Sequence, residues 1–244
     1  MCRLLGYVSA APTSVANFAG SSFSEFVNLS EVHKDSWGLC LVDHETAVLH
    51  KSAETAAISE RFKDLVGAKT ATGGLLHFRW ASPGIEVNDE NAHPFSYEDM
   101  AFIHNGALQP YDALLPEISK EFLELRTGSG DSELFFLLAL TKIKELGFLP
   151  GVMAAVRAIK DSYEYSSINS MFLNSEYLVV ISEHHPNNRP SWTDEKYYEI
   201  RYRLDQSGCL VASSGWSQDG WTLMPNHSAL IVDRQKMTGE LISL

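Results

Sequence analysis

Hydrophobic residues run along this chain in two rhythms. Short bursts rich in β-branched and aromatic residues predict strands at 3–9, 37–42, 47–51, 74–80 and 100–104. The same pattern returns at 167–173, 177–182, 197–204, 209–213 and 229–232. Longer stretches with apolar positions three and four apart predict helices at 54–66, 111–125, 131–146 and 150–159. The clearest reads DSELFFLLALTKIKELG, with Asp131 or Ser132 as the N-cap, lysines near its end and Gly147 as the stop. It is apolar almost all round, so it packs on two sides. The two rhythms do not alternate regularly, which argues against a doubly wound parallel sheet. A sheet-on-sheet core flanked by helices, an α+β arrangement, accounts for both the strand count and the buried helices. No shift in composition marks a boundary, so residues 1–244 read as a single domain.

Composition narrows the function classes. The formal net charge is −12, and no cluster of Lys and Arg interrupts it, so nucleic acids and anionic membranes are poor partners. No apolar stretch has the length needed to cross a bilayer. The cysteines Cys2, Cys40 and Cys209 are an odd, sparse set with no C-x-x-C pair. That is not a disulfide framework, suits a reducing, cytoplasmic setting, and offers no spacing for a metal site. The apolar stretch 4–8 is too short for a secretion signal and contains Gly6, so it reads as a buried first strand.

Four segments can carry chemistry. In GGLLHFRWASPG, residues 73–84, strand alternation puts Leu76, Phe78 and Trp80 on one face and His77 and Arg79 on the other. Arg79 ends a buried strand just before a Ser82-Pro83-Gly84 turn, placed either for a structural ion pair or to fork onto a carboxylate. Asn105-Gly106 follows a β run, where the pair favours a tight hairpin turn; the same side-chain amide and backbone N–H also suit a developing oxyanion. Asp131, after a Gly-Ser-Gly run, either caps a helix or holds an ammonium group. Cys2 becomes a nucleophile if Met1 is removed, because its own α-amine, with an ordinary pKa of about 7.7–8.0, can then take the thiol proton. The polar segment 183–202 reads equally as a surface loop or as a wall of the site.

Together and in this order, these segments resemble the class II glutamine amidotransferases of the N-terminal nucleophile hydrolase superfamily. The opening Met-Cys-Arg-Leu-Leu-Gly-Tyr is similar to a stand-alone subgroup that includes ergothioneine-pathway γ-glutamyl hydrolases and glutathione-degrading relatives. The family's His-x-Arg-Trp/Tyr-Ala-Ser/Thr-x-Gly matches His77, Arg79, Trp80, Ala81, Ser82 and Gly84. Its Asn-Ala-His-Pro-Phe, His-Asn-Gly and Asp-Ser-Glu motifs match 91–95, 104–106 and 131–133, and the later CLVASSGW also fits the subgroup.

The resemblance implies a four-layer αββα sandwich of the N-terminal nucleophile hydrolase type. It implies Cys2 as nucleophile, with Asn105 and Gly106 as the oxyanion hole. Arg79 would take the α-carboxylate and Asp131 the α-ammonium of a glutamyl group. Trp80 and Ser82 would shape the pocket, while His77 and His93 would be structural. A γ-glutamyl amide is then cleaved through a Cys2 thioester, with no metal or organic cofactor. No stretch after these motifs has the length of a synthase domain, and Ser82-Pro83 departs from the Thr-His of the sugar-phosphate branch. The first leaves either a separate ammonia-using subunit or a γ-glutamyl hydrolase, the second argues against the sugar-phosphate branch, and the subgroup resemblance favours hydrolysis of a small-molecule γ-glutamyl compound. The alternatives are a glutaminase subunit delivering ammonia to a separate synthase, and a non-catalytic γ-glutamyl-binding relative. Neither the oligomeric state nor the leaving group is legible.

Overall fold

The structure is a computed structural model that describes residues 2–43 and 46–244. In chain order, β1 (Arg3–Thr13) leads through α1 (Val15–Ala19) and α2 (Phe23–Asn28) to β2 (Ser36–Val42) and β3 (Ala47–Ser52). Next come α3 (Glu60–Ala68), β4 (Ala71–Arg79), β5 (Phe95–Tyr97) and β6 (Met100–Gln109). Then α4 (Lys120–Leu123), α5 (Asp131–Leu146) and α6 (Phe148–Ser162) precede β7 (Glu164–Leu173) and β8 (Tyr177–Ser182). The chain ends with β9 (Ile200–Asp205), β10 (Gly208–Ser213), β11 (Thr222–Leu223), β12 (Ser228–Asp233) and β13 (Thr238–Ser243).

The strands form two sheets, ordered β11-β9-β10-β1-β4-β2-β3 and β13-β12-β8-β7-β6-β5. Each pairing within them is antiparallel. Three apolar clusters define four layers. Leu4, Val8, Cys40 and Leu75 of the first sheet meet Ile103, Met171 and Val180 of the second. On the outer face of the first sheet, Leu5, Tyr7, Leu76 and Phe78 pack under Val15, Phe26 and Phe62 of the first three helices. On the outer face of the second, Phe102, Phe172 and Ile181 pack under Leu134, Leu138 and Val152 of α5 and α6. This is the αββα sandwich. The apolar periods explain it, since β1 and β4 bury both faces and α5 is buried from Asp131 to Thr141.

Several local expectations shift. The predicted helix at 54–66 begins only at Glu60, because Ser59 accepts the Phe62 N–H and caps it. Residues 111–125 do not form one helix. Pro110 precedes and Pro116 interrupts the segment, which is a 3-10 turn over Tyr111–Glu117 followed by the short α4. The N-cap of α5 is Gly130 rather than Asp131 or Ser132, and Asp131 is its first helical residue. Asn105-Gly106 is not a hairpin turn: both residues lie inside β6, opposite Asn169 and Ile168 of β7. Tyr197 and Tyr198, expected in a strand, lie before β9 begins at Ile200.

Candidate active site

The first sheet brings Cys2 to the end of β4. Arg3 pairs with Phe78 and Leu4 with His77, so the residue before Arg3 sits beside Arg79 and Trp80. The Cys2 thiol lies 3.9 Å from the Trp80 carbonyl oxygen. From the second sheet, the Asn105 side-chain carbonyl accepts a 2.7 Å hydrogen bond from the Cys2 nitrogen. This bond fixes which way the Asn105 amide faces: Oδ1 is committed to Cys2, which leaves Nδ2 as its donor. Met1, whose removal the N-terminal nucleophile reading requires, lies outside the described residues.

These groups line one cavity. Six of the seven residues singled out from the sequence, namely Cys2, Arg79, Trp80, Ser82, Gly106 and Asp131, form its walls. Asn105 completes the set through its bond to Cys2. One geometric expectation fails. Trp80 does not continue the face of Leu76 and Phe78, which are buried in the outer cluster; it lies past the last residue of β4 and joins Arg79 in the cavity wall. Alternation lapses because the strand has ended. The Ala81 N–H donates to Asp35 Oδ2 at 2.7 Å, pinning the chain into a turn through Gly84, whose φ of 86° suits glycine.

Arg79 and Asp131 put opposite charges into one cavity. No ion pair joins them among the described residues. The Arg79 guanidinium donates to the Glu86 carbonyl at 3.1 Å. Burial pushes it below its ordinary pKa, opposed by the negative charges of a Cys2 thiolate, Asp35 and Asp131. The Asp131 carboxylate accepts the Leu108 N–H at 2.8 Å through Oδ2 and the Ser132 N–H at 2.8 Å through Oδ1. The Leu108 bond ties the start of α5 to β6 just past a shift in the β6–β7 register. Such bulges re-aim the residues beside them. Here Gly106 is obligatory, because a Cβ at this position would lie 1.7 Å from the Ser167 carbonyl oxygen.

Several supporting residues carried no assigned role at the sequence level. Asn91 donates to the Glu86 carbonyl at 3.2 Å and accepts the Ser129 N–H at 2.8 Å, so it clamps the Arg79 partner to the glycine-rich loop. Glu133 holds the same loop by accepting from the Thr127 and Gly128 N–H groups at 2.8 and 2.7 Å. Both lie in motifs already visible, 91–95 and 131–133, which was the available signal.

A cluster of buried imidazoles adjoins the cavity, with His93 and His104 in its wall. His77 and His93 rings are 4.2 Å apart, and His104 bonds Ser132 Oγ at 2.9 Å and the Ser167 carbonyl at 3.2 Å. Burial pushes the pKa of His77 down to about 3 and holds His93 and His104 below the ordinary imidazole value. His104 is therefore neutral, with Nε2–H donating to Ser167 and Nδ1 accepting from Ser132. Cys40 and Cys209 lie between the sheets, and burial pushes both thiols up to about 12, so neither is a nucleophile.

Comparison with known proteins agrees with this architecture. The family model described as "Glutamine amidotransferases class-II" matches residues 1–197, and the chain belongs to that family. A Haemophilus influenzae protein named as a glutamine amidotransferase is 28% identical over 221 residues, covering 86% of this chain and 71% of its own. The glutamine–fructose-6-phosphate aminotransferase (isomerizing) of Aquifex aeolicus is 28% identical over 193 residues, covering 77% of this chain but only 28% of the larger protein. Among solved structures, a glutamine aminotransferase class-II domain protein from Silicibacter pomeroyi superposes with a TM-score of 0.69 at 18% identity, covering 99% of both chains. Glutamine phosphoribosylpyrophosphate amidotransferase from B. subtilis gives 0.61 at 15% identity, covering 99% of this chain and 49% of its own. The family match marks an amidohydrolase-like enzyme, and the solved structures share its two-sheet sandwich fold. No helix among the described residues is long and apolar enough to cross a membrane.

Proposed function

We propose that this protein hydrolyses γ-glutamyl amides through a Cys2 γ-glutamyl thioester, after removal of Met1. The observation that carries the reading is the joint position of Cys2, Arg79 and Asp131 on one cavity, with the Cys2 nitrogen 2.7 Å from Asn105 Oδ1. A glutamyl head group has one carboxylate and one ammonium, and the cavity offers one guanidinium and one carboxylate that are not spent on each other. Arg79 takes the α-carboxylate by charge-assisted hydrogen bonds, and Asp131 takes the α-ammonium.

The chemistry follows from these placements. The α-amine of Cys2 accepts the thiol proton, and the thiolate attacks the γ-carbon of the amide. The Asn105 Nδ2 donor and the Gly106 N–H stabilise the oxyanion of the tetrahedral intermediate. The C–N bond breaks as the α-ammonium returns its proton to the leaving amine. Water then attacks the thioester, with the α-amine again as base, releasing glutamate and the free thiol. Each group acts without a metal or organic cofactor, and the other thiols are too deeply buried to substitute.

The test combines intact mass with labelling by 6-diazo-5-oxo-norleucine. The expected result is loss of the Met1 mass, a single adduct on Cys2, and glutamate release from γ-glutamyl amides by the purified chain alone. A processed protein that takes no adduct and releases no glutamate overturns the hydrolase reading and leaves a binding protein. Glutamine turnover that appears only when an ammonia-using partner is added identifies a glutaminase subunit instead.

A further inference from the structure

The surface leading outward from Cys2 differs in kind from the cavity. Residues 183–199, between β8 and β9, contain no helix or strand and exceed the roughly 12–15 residues beyond which such connections are usually functional or disordered. This connection is tied down at its C-terminal root. Arg3 donates to the Tyr197 carbonyl at 3.0 Å and lies 4.0 Å over the Tyr197 ring. The Asn169 side-chain amide donates to the Tyr198 carbonyl at 2.7 Å, and Asn169 stands opposite Asn105 in the β6–β7 register. His33 Nε2 lies 3.1 Å from the Tyr197 hydroxyl. The root of the loop is thus registered directly against the elements that position the nucleophile.

Near that root the loop carries Trp192 onto the ring of Trp80, a residue of the cavity wall. Its ring lies 4.8 Å from the Trp80 ring and meets the Tyr197 ring edge-on at 5.6 Å. Tyr197 and His33 are each 3% exposed, whereas Trp192 is 48% exposed. A large aromatic ring is therefore held by other rings yet open to solvent, packed on the residue whose carbonyl lies 3.9 Å from the Cys2 thiol. An enzyme that releases only ammonia has no use for an aromatic wall on that path. A leaving amine that carries a flat ring does, because offset or edge-on ring contacts favour it beyond simple area burial.

We propose that Trp192, seated on Trp80, is the leaving-group subsite and selects γ-glutamyl amides whose amine half carries a flat ring. The inference rests on the hydrolase reading above and deepens it by naming the substrate class. With the amino-acid head held by Arg79 and Asp131, the amine half passes Cys2 and lies along the open side of Trp192.

The test compares kcat/KM for γ-glutamyl benzylamide, γ-glutamyl ethylamide and glutamine in the processed full-length enzyme, its Trp192→Ala variant and its Trp192→Phe variant. The wild type should favour the benzylamide over the ethylamide by about 3- to 10-fold, the range of a single aromatic contact. Trp192→Ala should lower that ratio about 3- to 10-fold relative to the wild type, and Trp192→Phe should lower it less. Comparing the ratio between variants cancels differences in leaving-group basicity and any common loss from a loosened loop. An active wild type whose ratio is unchanged by Trp192→Ala overturns this inference alone. A wild type inert towards all three amides overturns the hydrolase reading, and this inference with it.

Discussion

The two ends of the cleft are built differently. The inner end draws Arg79 from the end of β4 and Asp131 from the first turn of α5, both buried and both fixed by main-chain hydrogen bonds. The proposed outer subsite is a half-exposed Trp192 on a long connection, held by ring contacts. Charged recognition needs fixed geometry, because a displaced guanidinium or carboxylate in a dry cavity is costly. Apolar recognition tolerates displacement, and loops accept sequence change more readily than the elements they join. Under the proposed function this difference is a division of labour, in which the sandwich would read the part every γ-glutamyl substrate shares and the loop the part that varies.

The largest break in that comparison is at the junction of the two ends. Cys2→Ala should lower glutamate release by on the order of 10⁴-fold or more with every amide, whatever the leaving group, read by steady-state kinetics on a folded variant. Next come the inner-end residues. Arg79→Met and Asp131→Asn should each lower kcat/KM by on the order of 10²- to 10³-fold, equally for benzylamide and ethylamide. Asn105→Ala should cost about 10²- to 10³-fold, falling on kcat because the contact is made in the transition state. Unequal losses between the two amides would mean that the ends do not act separately.

A smaller effect sharpens the account of what fixes the inner end. Asn91→Ala releases both the Glu86 carbonyl and the Ser129 N–H, and should cost on the order of 10-fold in kcat/KM for all amides. Its thermal midpoint should drop as well, since buried polar groups lose their partner. Trp192→Ala should leave that midpoint close to the wild-type value, because half of its ring is already in water.

The buried imidazoles give a pH prediction with a definite sign. Burial, reinforced for His33 by the neighbouring Arg3 charge, pushes His33 and His77 down to about 3. Unfolded, each titrates near its ordinary value of about 6.5. Between those values the unfolded chain binds protons that the folded chain does not, so these groups make stability fall as pH falls. Their contribution is fully present above about pH 6.5 and is lost progressively down to about pH 3. Urea midpoints measured from pH 7 to pH 4 should decline, and replacing His77 with Asn should flatten the slope.

How much of this was legible in the chain depends on the range of the interaction involved. The burst-like strands and the apolar α5 were visible because side-chain periodicity is local. Arg79 and Asp131 each read locally as an ion-pair partner or a helix cap as readily as a ligand group, and only the family motifs joined them in one proposed role. Asn105-Gly106 misled as a turn, since the same pair that closes hairpins also fits a crowded strand, where a Cβ on Gly106 would strike the Ser167 carbonyl. Trp80 was placed on the wrong face because alternation carries no notice of where a strand stops.

The sequence by itself determined the α+β class, because short-range period suffices for it, and its family motifs, rather than local pattern, marked Cys2, Arg79 and Asp131 as candidate site residues. Only the tertiary structure decided that Asn105 reaches the Cys2 nitrogen, that Asn91 joins Glu86 to Ser129, and that Trp192 lies on Trp80. Each of those contacts depends on the register of strands or the course of a loop across segments far apart in the chain. That register is fixed by packing two sheets and two helical layers together, a cooperative outcome that no local stretch encodes.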